Sequence, residues 1–349
     1  MHIIIDIRDA HPFGSIIERY GESWGKIWKS HHPHDSISYL IFESQYAKTD
    51  EYIQVPRGAS SWWRKKKIVH HKNNEIFRCI NFSSFDPYSR HIPTLTHIFN
   101  NRQWLYPHDG ESSYIAKKAL EYKMRRIARN SHKIIVPSMS VGLECVELWG
   151  IKEHDIEIIP YIPLEVGESD DLTGIQYQIQ TPYFLYDGSF GTEGNIIGML
   201  KGFEKYRHIH GGKTHLVLHG SLGQELTHIT HVLRSFELTD SVKLVGTLEG
   251  ENYEWLYKHA KAWIMVGSYY SGGPRIELAY AHKIPMILSD ITAIRGFGAT
   301  YIHPNHISEE LTSSLIHLEK RSGHKKRAHE YEVADILRAY EIHLAENQI

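Results

Sequence analysis

Cysteine is scarce in this chain: two residues among 349, Cys79 and Cys145, set far apart. No disulfide framework and no cysteine-based metal site follows from such a pair, and the usage fits a reducing cytoplasm. Net charge is also close to absent, at −2, so no global field draws the protein to nucleic acid. No apolar run approaches the roughly 18 residues that cross a bilayer. The opening MHIIIDIRDAH enters a strand pattern directly, without a charged leader or a cleavage-site signature. The expectation is a soluble, cytoplasmic protein that binds no nucleic acid. Histidine, by contrast, is abundant at 26 copies. Yet HHPHD (31–35) and VHHKN (69–73) match no metal-ligand spacing, so no metal and no cofactor are expected. No short solenoid-type repeat is present.

What the chain does have is alternation. Short β-rich runs fall at 2–8, 37–42, 76–82, 94–99, 133–138 and 156–160, then at 183–188, 215–220, 242–246, 262–267, 285–290 and 300–304. Helix-length or turn sequence separates them, as parallel doubly wound sheets require. The clearest helix is SSYIAKKALEYKMRRIARNS (112–131), which leads into KIIVPS. An acidic, proline-flanked stretch divides the halves, and such stretches mark interdomain linkers. The reading is an α/β chain with two Rossmann-like doubly wound domains facing a cleft. Residues 1–165 form the first domain, 166–182 the linker and 183–323 the second domain. A terminal helical segment at 324–349 carries Val333, Ile336, Leu337 and Tyr340 on one face.

The stretch SYYSGGPRIELAYAHKIPMILSD (268–290) concentrates the chemistry. Gly272 and Gly273 free the backbone for close approach. Pro274 suits the first position of a helix, where its missing N–H has no partner in any case. A helix start offers unpaired N–H groups and a partial positive charge, hence a place for a phosphate or diphosphate. Glu277 is suited to accept hydrogen bonds from two adjacent ribose hydroxyls; alternatively, it complements the helix dipole as a first-turn acid. Ligands of open parallel sheets sit beyond the carboxyl ends of the strands. Four glycine-containing strand ends qualify in the second half: Gly188-Ser189, Gly220-Ser221, Gly246-Thr247 and Gly267-Ser268. Their recurrence points to a large ligand laid along that edge, although glycine also ends strands for steric reasons.

From Tyr183 to Pro304 the chain resembles the donor-binding domain of family 4 glycosyltransferases, retaining enzymes of the GT-B fold. YFLYDGSFGTEGNIIGMLKGFEKY is similar to that family's opening strand, glycine turn and Asn-led helix, with Asn195 at the helix start. The run from VKLVGTLEG to PMILSD follows the family's later motifs. In the first half, Asp6 and Gly14 fall where an N-terminal glycine loop is expected. TLTHIF resembles the strand ending in a functional histidine, His97, and YEVADILRAYE resembles the terminal helix that returns to the first domain.

The resemblance implies a contact between Glu277 and the ribose of a nucleotide sugar, with Gly246-Thr247 near the base. It places Tyr269 where the family has an acidic residue, and Ser189 and Gly194 where it has cations on the diphosphate. Arg275 is the best substitute cation and Arg295 the next; the other reading of Arg275 is a solvated surface arginine. His97 and Gly14 are implied on the sugar side. SSWWRKKKIVHHK (60–72) sets Trp62 and Trp63 beside four cations, either a solvated run or, through 62–67, a contact with a membrane or lipid-linked acceptor. The expected activity is metal-independent transfer of a hexose, from a UDP- or GDP-sugar to a glycan or lipid-linked acceptor in polysaccharide biosynthesis. A GT-B-shaped binding protein or partner subunit that has lost turnover is the alternative, and a nucleotide-sugar epimerase a third.

Overall fold

In HIIID, the first strand, every residue is buried, and both faces of a strand are covered only inside a sheet with layers on either side. The same holds for YFLYD at 183–187. A computed structural model shows the elements that follow from this pattern. It describes residues 1–8, 16–42, 49, 51–55, 77–83, 92–105, 114–164, 179, 182–188, 190–211, 213–220, 225–248, 250–270, 273–291, 294–320 and 332–345.

The first unit runs β1 (His2–Asp6), α1 (Ile16–His31), β2 (Ser36–Phe42), β3 (Tyr52–Val55), β4 (Phe77–Asn81), β5 (Thr94–His97), α2 (Arg102–Leu105), α3 (Tyr114–Asn130), β6 (Lys133–Val136), α4 (Met139–Trp149) and β7 (Ile156–Ile158). Its strands form one sheet in the order β3-β2-β1-β4-β5-β6-β7, every pairing parallel. The second unit runs β8 (Tyr183–Asp187), α5 (Ile196–His210), β9 (His215–His219), α6 (Leu226–Ser235), β10 (Val242–Gly246), α7 (Gly250–Lys258), β11 (Ala260–Met265), α8 (Pro274–Ala281), β12 (Met286–Ser289), β13 (Thr300–Ile302) and α9 (Ile307–Lys320). Its sheet order is β10-β9-β8-β11-β12-β13, again all parallel. The doubly wound parallel architecture expected of each half is present.

All twelve expected strands exist, most of them a residue or two shorter than their apolar runs. The strand that the pattern did not mark is β3, four residues at the sheet edge paired to β2. An edge strand this short carries too few alternations to stand out from a turn. Of the expected linker, only Ile179 and Pro182 lie within the described residues, and the Trp62–Trp63 cation run and Gly14 lie outside them.

Two compact units result, the first taking in Met1–Leu164, Ser271–Pro274 and Tyr331–Ile349, the second Glu165–Tyr270 and Arg275–Glu330. The terminal helix α10 (Val333–Ala345) buries Ile336, Leu337, Tyr340 and Leu344. Contacts along its length hold it within the first unit, Glu341 to His32 and His343 to Glu157 among them. Arg78 Nε donates to the Leu344 carbonyl at 2.6 Å, satisfying one of the last-turn carbonyls that a helix leaves unpaired. The Tyr340 ring meets Trp24 edge-on at 5.2 Å. Its hydroxyl lies 3.0 Å from His97 Nε2. His97 also packs against Phe82 at 4.5 Å, and burial pushes its pKa down to about 3.

That histidine is expected to contribute to the pH dependence of stability. Folded, it stays neutral down to about pH 3; unfolded, it takes a proton near its ordinary value of about 6.5. Between those limits the unfolded chain binds more protons, so stability falls as the pH falls, by up to about 1.4 kcal/mol per pH unit from this group. His97→Gln, which keeps an acceptor for Tyr340, is expected to flatten the stability curve between pH 6.5 and 4 in urea unfolding. An unchanged slope would show that His97 is not the titrating group.

Candidate functional site

Because all strands of the second sheet are parallel, their last residues share one edge. β8 ends in Asp187 and β9 in His219, which are register partners; each is a polar residue that follows an apolar strand interior. Asp187 is fully buried. An ionised carboxylate there costs several kcal/mol unless its lone pairs are taken up, and here four donors take them. His219 Nδ1 lies 2.9 Å from Oδ1. Oδ2 accepts from the Tyr253 hydroxyl at 2.5 Å, the Tyr257 hydroxyl at 2.6 Å and Arg275 Nε at 2.9 Å. The two tyrosines stand four apart on α7, the spacing that puts side chains on one helical face.

Electrostatics and hydrogen bonding agree on the charge state. Burial works to raise the Asp187 pKa, but the Arg275 charge and the bonds from His219 and Tyr253 outweigh it and hold the carboxyl well below the usual range. Burial, then the Asp187 charge, pushes the Tyr253 and Tyr257 phenols well above their ordinary value, so both remain donors. His219 Nε2 accepts the Leu248 backbone N–H at 2.8 Å; the ring proton therefore sits on Nδ1 and is given to Asp187. Through that ring the loop after β10 is tied to the same carboxylate.

Helix α8 starts at this edge. Gly273 has φ +101°, in the region that side chains other than glycine rarely adopt, and Pro274 opens the helix. Arg275 and Glu277 both lie in the first turn. Two residues apart on a helix, they do not face one another: Arg275 reaches back to Asp187 and keeps 37% of its side chain exposed, while Glu277 is buried at 2%. Tyr270 lies in the field of Arg275, Asp187 and Glu277, and burial raises its phenol. Its hydroxyl has no hydrogen-bond partner among the described residues.

The glycines of this edge have a second explanation. Gly220 has φ +139°, and a Cβ there would stand 2.6 Å from the Gly188 carbonyl oxygen. A Cβ on Gly267 would meet the Glu193 carbonyl oxygen at 2.6 Å, where the Ser268 N–H already donates at 2.7 Å. At both positions the loops crossing the strand ends approach too closely for a side chain. The steric reading of these two turns suffices without a ligand. Gly246 differs: its φ is +66° and open space surrounds it.

The remaining expected positions are dispersed. Asn195 precedes α5 with φ +51° and makes no side-chain cap bond. Gly188 donates weakly to the His219 carbonyl at 3.4 Å, Thr247 is exposed and Tyr269 half-buried. Gly194 is buried in a 3-10 turn. Ser189 and Gly272, like Gly14, lie outside the described residues. Arg295 is not a free cation: its Nε and Nη2 fork Asp290 at 2.6 and 3.0 Å. His97 stands at the end of β5 in the first unit, in its aromatic surroundings. Sequence reading missed Asp187, His219, Tyr253 and Tyr257. One signal was available, a polar residue as the last member of two adjacent apolar strands, YFLYD and HLVLH. Among the described residues, no group of three or more His, Cys, Asp or Glu side chains could hold a metal ion, and no helix is long and apolar enough to cross a membrane.

No family model and no curated protein sequence matches the chain. Solved structures do. It is similar to a glycosyltransferase from Rickettsia africae ESF-5, with 14% identity, a TM-score of 0.63 and 99% of each chain covered. It is similar to Alr3699/HepE of Anabaena in complex with UDP-glucose, with 11% identity, a TM-score of 0.67 and 99% of each chain covered. WaaG, a glycosyltransferase involved in lipopolysaccharide biosynthesis, matches with 12% identity and a TM-score of 0.57, over 100% of this chain and 96% of that one. At these identities the likeness is one of fold, two Rossmann-like parallel-sheet domains of the GT-B type.

Asp187→Asn removes the charge and turns an amide N–H₂ toward groups that are themselves donors. Breaking one side of a buried ion pair typically costs about 3–5 kcal/mol, and because Arg275 is partly exposed the expected loss is near the lower figure. Urea unfolding at pH 7 measures it. A loss below about 1 kcal/mol would mean that the carboxylate does not organise this edge.

Proposed function

We propose that this protein is a retaining glycosyltransferase of the family 4 kind, moving a hexose from a nucleoside-diphosphate sugar to a glycan or lipid-linked acceptor in surface polysaccharide or glycoconjugate synthesis. The observation that carries the reading is Arg275: a guanidinium held at the first turn of α8, on the carboxyl edge of a parallel sheet, with Glu277 in the same turn. That edge is where open α/β sheets take their ligands. A departing nucleoside diphosphate needs positive charge or N–H donors at the leaving oxygen, and each such donor is worth about 3–4 kcal/mol in the transition state. In this reading Arg275 and the N-terminus of α8 supply them, so the mechanism calls for no metal. Glu277 accepts from the ribose hydroxyls, and the loop at Gly246 and Thr247 lies along the nucleoside. No carboxylate nucleophile is invoked; as the resemblance implies, the leaving diphosphate guides the acceptor to the same face of the sugar.

Gly272, Gly273 and Pro274 hold the diphosphate, and Gly188, Ser189, Asn195 and Tyr269 complete the donor side. His97 and Gly14 keep the sugar-side places that the resemblance implies. His97 engages a ligand through Nε2 only by giving up its contact with Tyr340. A cytoplasmic location, with membrane contact through 62–67, belongs to the same proposal. The second reading, a nucleotide-sugar-binding protein without turnover, is favoured by Tyr269 and Gly194, neutral where the resemblance has charged residues.

Thermal shift with a panel of UDP- and GDP-sugars separates these readings; the UDP-glucose complex of Alr3699/HepE makes UDP-glucose the first to test. A true donor at about 100 times its dissociation constant adds roughly 2.7 kcal/mol of stability. Transfer or hydrolysis, read as released nucleoside diphosphate, is expected with the stabilising donor and is lost in Glu277→Ala. Glu277→Gln is expected to reduce discrimination between UDP and its 2′-deoxy analogue. Binding without turnover across donors and acceptors favours the second reading; no nucleotide binding at all overturns both.

A further inference from the structure

We propose that Asp187 is a positioning residue of the donor site: it fixes the Arg275 guanidinium so that the outer nitrogens are offered to a diphosphate, and through His219 it holds the backbone loop after β10. The inference rests on the functional reading above and deepens it. Asp187 is fully buried, so it acts through its partners and not on a ligand.

The geometry of the pair distinguishes it from two other Arg–Asp pairs in the chain. Arg8 grips Asp6 through Nε at 2.9 Å and Nη2 at 2.6 Å. Arg295 grips Asp290 through Nε and Nη2 at 2.6 and 3.0 Å. In both, two parallel bonds engage the fork that makes arginine a good anion ligand. Arg275 instead gives Asp187 a single bond, from Nε. The reason lies in the other three donors. Oδ1 is turned to His219, and Oδ2 already receives Tyr253 and Tyr257, so the carboxylate cannot present both oxygens to the guanidinium. One bond at Nε sets the direction of the planar group and leaves its outer N–H groups for something else. The partial exposure of the side chain makes them reachable from solvent.

The second arm runs through His219. With its proton on Nδ1 facing Asp187, Nε2 accepts from the Leu248 N–H. Leu248 directly follows Gly246 and Thr247, the stretch assigned to the nucleoside. One carboxylate therefore ties the cation on the phosphate side to the backbone on the nucleoside side.

The test is a calorimetric double-mutant cycle with UDP as probe and uridine, which lacks phosphate, as control. Arg275→Ala is expected to weaken UDP binding by about tenfold or more and to leave uridine unchanged. Arg275→Lys is expected to do no better than alanine, since one ammonium cannot both hold Asp187 and reach a phosphate. Asp187→Asn should weaken UDP by a similar factor, and Asp187→Asn with Arg275→Ala should bind no more weakly than the weaker single variant. Near-wild-type UDP affinity in Arg275→Lys, or losses that multiply in the double variant, overturns the inference; the lysine arm decides alone if Asp187→Asn does not fold. A wild-type protein that binds UDP with no dependence on Arg275 refutes this inference only. A wild type that binds neither UDP nor GDP removes the functional reading as well.

Discussion

A single ionised carboxylate, sealed from water at the end of a central strand, dictates much of the second unit. Left alone, Asp187 would cost several kcal/mol or take up a proton. Four donors prevent both, and they come from four places: the end of β9, two positions on α7, and the first turn of α8. Each of these elements is thereby fixed at one end relative to β8 by a bond that water cannot replace. A hydrophobic core of leucines and isoleucines holds the sheet and helices together without specifying direction. The charged cluster adds direction at the one edge where ligands of such sheets bind.

The corresponding edge of the first unit is built with fewer charges at β5 and more aromatic surface. His97 ends its strand as Asp187 does, but its neighbours are Phe82, Phe99 and Tyr340, and burial keeps it neutral. Its hydrogen-bond partner comes from the terminal helix, some 240 residues away in the chain. There the histidine is held by ring packing and the Tyr340 hydroxyl, a solution that tolerates burial because the imidazole itself carries no charge. The contrast between the units follows from elementary electrostatics: a neutral imidazole needs one partner, an anion needs its full set.

Glycine at the strand ends shows how one observation serves two causes. Gly220 and Gly267 are required where backbone meets backbone, whereas Gly246 stands in open space in a left-handed conformation. Only a position of the latter kind retains its value as a sign of a ligand. The crossing loops also bring the strand-end backbone into a connected layer, Gly220 N–H to the Gly246 carbonyl and Ser268 N–H to the Glu193 carbonyl, which gives the edge a defined floor.

Twelve of thirteen strands, their parallel arrangement and the proline-led start of α8 were legible in the sequence. Fully buried strands must be written as continuous apolar runs, and helix starts carry local chemistry. β3 escaped because four residues at an edge bear no such mark. The partnership of Asp187 with His219, Tyr253, Tyr257 and Arg275 was not legible, since these residues are scattered over nearly ninety positions and nothing local announces that their side chains converge. Local pattern and burial set which segments become strands and helices. Only the tertiary fold decides which polar groups meet, because that depends on strand order and on the angle at which each helix returns. It was also the fold that turned Arg275 from a surface cation into one held in place by a buried charge.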